Sequence, residues 1–223
     1  MSRKMIIKLT VNFIMTVLFL FLMAFRLTDD FIHEILGISI FVLFIIHSIL
    51  NGKWYLSLLK GQYSAIRVFK ITINLLLAVI MIVMLVNAVF ISETIFDFVP
   101  VDSTLFVIEL HLFCAAWGFV LMSVHLGLHW KMILKVTGFS SGNKIVIFVS
   151  RIAAFFLLIY GIKAFVARSL FQKLMMYSVY DSISIDGTGI EILSDYLLIM
   201  GMLVVLTYYA MLLLQKSDRL SKT

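Results

Sequence analysis

Long apolar runs broken by short polar stretches dominate the chain. Six such runs stand out, at about 7–25, 31–50, 71–91, 104–129, 152–167 and 196–214. A helix rises about 1.5 Å per residue, so about 20 apolar residues cross a hydrocarbon core of about 30 Å. Inside that core only a helix or a closed barrel satisfies its own backbone. The pattern therefore predicts an all-α, polytopic integral membrane bundle of six transmembrane helices. The opening run, behind Arg3, Lys4 and Lys8, has the look of a signal peptide. It is too long for one, and no small-x-small cleavage pattern follows, so it is expected to remain as the first span.

Composition agrees. Of 223 residues, 63% are hydrophobic and 13% charged, and the mean hydropathy of +1.12 is beyond what a soluble domain of this size could bury. One Pro and one Cys exclude a disulfide framework, a Cys-x-x-Cys-His haem attachment and a thiolate zinc site. Cys114 reads as a small packing residue. The net charge of +6 would suit nucleic acid, but its distribution argues against that partner. The N-terminal tail, the loops after spans two and four and the C-terminal tail hold 14 of the 18 Lys and Arg residues. The opposite side holds 11 of the 12 acidic residues, among them Asp102, Asp181 and Asp186. The positive-inside rule then places both termini in the cytoplasm.

Two spans carry the chemistry. His33 and His47 lie in the second span and His111 and His125 in the fourth, each pair separated by thirteen residues. Fourteen helical steps return the second imidazole to within about 40° of the first, about 21 Å further along. Both spans run from outside to inside, so His33 is level with His111 and His47 with His125. This predicts an outer and an inner bis-histidine site, suited to two stacked haems b. The reading gives a four-helix di-haem core over residues 1–135 and two additional helices over 136–223.

Other readings remain open at this stage. A single histidine in a span is as readily a hydrogen-bonded packing residue, although two equally spaced pairs weaken that reading. A proton relay would want carboxylates in the middle of the spans. Zinc would want a third protein ligand beside the helical pair His125 and His129. His129 also lies on the ligand face, so it competes with His125 as inner ligand or serves a haem propionate or a quinone headgroup. Gly37, Ser39, Ala115, Ala116 and Gly118 lie between the ligands, where a macrocycle or a neighbouring helix needs room. Arg26 outside, and Lys53, Arg67 and Lys131 inside, are candidate propionate partners.

The patterns His33-Glu34-x-x-Gly37, His47-Ser48-x-x-Asn51-x-Lys53-Trp54 and His111-x13-His125-Leu-Gly-Leu-His129-Trp130 resemble the prokaryotic flavinylation-associated membrane cytochrome b family, over roughly residues 5–135. The resemblance implies b-type haem at His33, His47, His111 and His125. It also implies a prokaryotic inner-membrane location and electron delivery to flavinylated or other extracytoplasmic redox proteins, with a quinol or a cytoplasmic donor. No glycine-rich nucleotide motif accompanies the histidines, so a partner protein is expected. The alternatives are a haem-containing anchor subunit of a larger oxidoreductase and a haem-free small transporter.

Overall fold

The computed structural model describes residues 2–99, 104–138, 144–177 and 187–220, with 217–220 described by backbone alone. Asp102, Asp181 and Asp186 lie outside the described residues. Helix α1 spans Arg3–Met23, α2 Asp30–Leu50, α3 Gly52–Ser57, α4 Ala65–Ile91, α5 Leu105–Val136, α6 Lys144–Ala167, α7 Leu170–Leu174 and α8 Gly189–Leu220. Six of these are long and apolar enough to cross a membrane. No strand occurs among the described residues. The chain is a polytopic helical membrane protein.

Most helices outrun the apolar runs that predict them. α4 starts at Ala65 rather than 71, α5 continues to Val136 rather than 129, and α6 starts at Lys144 rather than 152. Hydropathy falls where lysine and arginine begin, yet helical hydrogen bonding continues, because their long stems carry the charge out to water. The actual starts are set by caps. Ser2, Asp29, Ser64 and Thr104 each accept a hydrogen bond from the backbone N–H three residues on.

Two helical hairpins, α1–α2 and α4–α5, form one half of the bundle. In the other half α8 packs between α5 and α6 and also touches α1. Glycine makes these α8 contacts possible. A Cβ on Gly127 would lie 2.6 Å from Thr207 Cβ, and one on Gly161 would lie 2.5 Å from Met202 Cβ. Small residues of this kind let membrane helices approach closely, where lipid removes any hydrophobic reward for association. The densest core gathers Phe19 and Ala24 from the first hairpin, Phe119 from α5, Leu170 from α7 and Ile192, Tyr196 and Ile199 from α8. Phe119 and Tyr196 meet edge to face at 5.2 Å. Cys114 is buried, as a packing residue should be.

Polar tethers close the end where α7 lies. Arg168 pairs with Asp195 at 2.7 Å, and Trp117 Nε1 donates to the Leu174 carbonyl at 3.0 Å. Arg26 donates to the Gly187 carbonyl at 3.0 Å, fixing the α1–α2 turn to the start of α8. Lys173 is buried, with its ammonium 3.4 Å from the Tyr196 hydroxyl. Burial, with Arg168 nearby, pushes the Lys173 pKa down from 10.5 to about 8.

Two outcomes follow from this packing. Gly161→Ala and Gly127→Ala each lose about 1–3 kcal/mol in detergent unfolding, the usual cost of overpacking, a cost that Gly37→Ala, whose Cβ meets nothing within 4 Å, escapes. The second concerns pH. Between about 8 and 10.5 the folded chain has released the Lys173 proton while the unfolded chain retains it, so unfolding takes up a proton and rising pH favours the folded state. The melting-temperature difference, Lys173→Met minus wild type, therefore becomes less positive across that window. A pH-independent difference would refute the buried-charge account.

Candidate functional site

The site begins with how α2 is held. Asp29 caps it, accepting from Ile32 N–H at 2.7 Å, and His33 stands in the first turn. The Glu34 carboxylate next to it collects four donors from the segment after α4. These are the Ser92 hydroxyl at 2.7 Å and the backbone N–H groups of Glu93 at 3.1 Å, Thr94 at 3.2 Å and Ile95 at 2.8 Å. This carboxylate ties the N-terminal end of α2 to the end of α4, and so sets α2 at a fixed height beside the second hairpin.

At that height the histidines meet in the expected pairs. The His33 and His111 ring centres are 6.4 Å apart with their planes at 63°. Those of His47 and His125 are 6.5 Å apart at 74°. The backbones of α2 and α5 make almost no close approach along the same length. Space also opens at Gly37, midway between His33 and the helix centre, where an added Cβ meets nothing.

The separation discriminates between chemistries. An N–H···N hydrogen bond of about 2.9 Å would bring facing imidazole centres to about 5.2 Å. Two imidazoles bound to one metal at about 2.0 Å per bond place their centres about 6.3–6.5 Å apart. Both pairs sit at the second distance. Edge-to-face aromatic packing also spans this range, but packing alone does not call for two equal pairs held across a gap between backbones.

Hydrogen bonds fix the His47–His125 pair further. His47 Nδ1 lies 2.7 Å from Asn12 Oδ1, and His125 Nδ1 lies 2.8 Å from Asn74 Oδ1. An amide oxygen only accepts, so each Nδ1 carries the proton and each Nε2 presents its lone pair. Asn12 stands nine residues after the start of α1, and Asn74 nine after the start of α4. Each serves the histidine of its own hairpin. At the C-terminal end of α2, Lys8 Nζ donates to Asn51 Oδ1 at 2.7 Å, and Asn51 Nδ2 donates to the His47 carbonyl at 2.9 Å. Asn51 Nδ2 also lies 3.3 Å from His47 Nε2, a long contact that a metal bond at that nitrogen would replace. The other pair differs: Nδ1 of His33 and Nδ1 of His111 are buried without a hydrogen-bond partner among the described residues.

Asn12 and Asn74 carry no role in the reading of the sequence, and Lys8 enters it only as a basic residue ahead of the first span. A signal was present, because an asparagine inside an apolar span is costly and seldom idle. The remaining candidates lie around the two pairs or away from them. His129 lies one turn beyond His125 with ring centres 4.8 Å apart, and it is exposed. Arg26 is engaged with Gly187, and Arg67 donates to the Ser57 and Gln62 carbonyls and stacks 4.7 Å over Tyr63, bracing its own loop. Lys53 lines a surface cavity of about 400 Å³ together with Lys4, Lys8, Asn51 and Trp54. Gly118 faces Phe19 and Ile80, so it serves helix packing rather than an open face. Among the described residues no three His, Cys, Asp or Glu side chains converge as a metal cluster.

Comparison with protein-family models, curated proteins and solved structures gives no match. The functional reading therefore stands on the geometry.

Proposed function

We propose that this chain is a membrane di-haem cytochrome b that carries electrons across the membrane. His33 and His111 would hold an outer haem, and His47 and His125 an inner one. The observation that carries this reading is the repeated ring separation of 6.4 and 6.5 Å across a gap between α2 and α5. Haem supplies a one-electron Fe(III)/Fe(II) couple when bound. The chain supplies neutral imidazoles at two depths, about 21 Å apart along each helix, and apolar walls that exclude water. Basic residues at one end of the spans and acidic residues at the other favour an orientation with both termini cytoplasmic, and the resemblance described above implies a prokaryotic inner membrane. A quinol or cytoplasmic donor would then feed the inner centre, and an extracytoplasmic partner, flavinylated in the resemblance described above, would drain the outer one. The same geometry serves a haem-bearing anchor subunit of a larger oxidoreductase.

Purified protein from haem-replete cells should show a reduced-minus-oxidised b-type spectrum and about two haems per chain by pyridine hemochrome. His33→Ala and His47→Ala should each retain one, and His129→Ala should retain both. The strongly crossed ring planes, at 63° and 74°, predict highly anisotropic low-spin ferric EPR signals. A well-folded, haem-free preparation would reject the reading in favour of a haem-free transporter.

A further inference from the structure

The two tiers present the same four imidazoles in unequal surroundings. Both inner histidines give their Nδ1 proton to an asparagine oxygen, at 2.7 and 2.8 Å. Both outer histidines keep Nδ1 buried and unpartnered among the described residues. We infer that Asn12 and Asn74 are positioning residues for the inner centre, fixing both of its ligands in one tautomer and selectively lowering its reduction midpoint. The inference rests on the di-haem reading and deepens it.

The chain of cause is short. An unconstrained neutral imidazole exchanges its proton between two nitrogens, and only the deprotonated one binds a metal. The amide oxygen of Asn12 or Asn74 holds the proton on Nδ1, which leaves Nε2 as the donor and fixes the orientation of the ring. Drawing on the Nδ1–H bond also leaves more electron density at Nε2. A more basic axial ligand stabilises the ferric over the ferrous state and lowers the midpoint. Asparagine is neutral, so this effect adds to whatever Lys8 inside and Asp30 or Glu34 outside contribute by charge. The arrangement is built twice, once per hairpin, with both asparagines at the same position in their helices. Chance packing would not repeat acceptor, ligand and register together.

The test is a spectroelectrochemical titration of the full-length holoprotein in detergent. The component that survives in His33→Ala identifies the inner centre, and that in His47→Ala the outer one. Asn12→Leu and Asn74→Leu each should raise the inner midpoint, changing its ferrous-to-ferric ratio at fixed poise on the order of tenfold, the low end of outer-shell effects at metal sites. The double variant should shift it further, and the outer component should not move. Asn12→Asp and Asn74→Asp retain an acceptor in either protonation state and should return the midpoint to or below wild type. With two haems retained, an unmoved inner component, or equal movement of both, would overturn the inference and leave the di-haem reading standing. If a leucine variant loses the inner haem, the aspartate variant decides. Retention with the inner EPR signal intact supports the assignment, and loss there too makes the asparagine a packing residue and overturns it. Absence of haem from the wild-type protein would overturn the di-haem reading itself, and this inference with it.

Discussion

A hydrocarbon core holds no water to satisfy an imidazole, and that cost organises the structure around the four paired histidines. Each must find a partner within the protein or a ligand brought to it. Two solve the problem on one nitrogen by facing asparagine, and all four stand opposite another histidine at a distance too long for hydrogen bonding. The gap between α2 and α5 persists because the load of packing falls elsewhere. α4 packs on α5, α1 on α2, and α8 closes against α5 through glycine contacts, so no helix is drawn into the space between the rings.

The height of α2 is the second condition. A helix free to slide by one turn would move each imidazole about 5.4 Å and break both pairs at once. Two features oppose sliding: the Glu34 carboxylate gripping residues 92–95, and the chain Lys8–Asn51–His47 at the opposite end. The two tiers are thus held from both ends of the helix, and a change at either end would be felt at both pairs.

The second half of the bundle has a different character. Its polar pairs, the half-buried Arg168 with Asp195 and the buried Lys173 with Tyr196, cluster around α7 and α8, and its helices cross at glycines. It contributes no histidine. Its physical role is to buttress α5, the helix that carries His111, His125 and His129, while α2 faces largely outward.

Six spans, their approximate centres and the matching of His33 with His111 and His47 with His125 were all legible in the sequence. Hydropathy and the 3.6-residue period are local properties, and two parallel helices with equal spacing leave one natural pairing. The ends of the helices were less legible, because a cap such as Ser64 starts the helix several residues outside the apolar run. Which polar residues reach the histidines depended on tertiary structure alone. Asn12 and Asn74 are 35 and 51 residues from the imidazoles they meet, and no periodicity along the chain connects them. The same holds for Glu34, which finds its donors about 60 residues away, and for Gly118, which packs on Phe19 instead of leaving an open face. The apolar pattern determines which face of a helix turns inward, but only the packed bundle decides which side chains meet there, because contact across helices is set by their relative height and rotation.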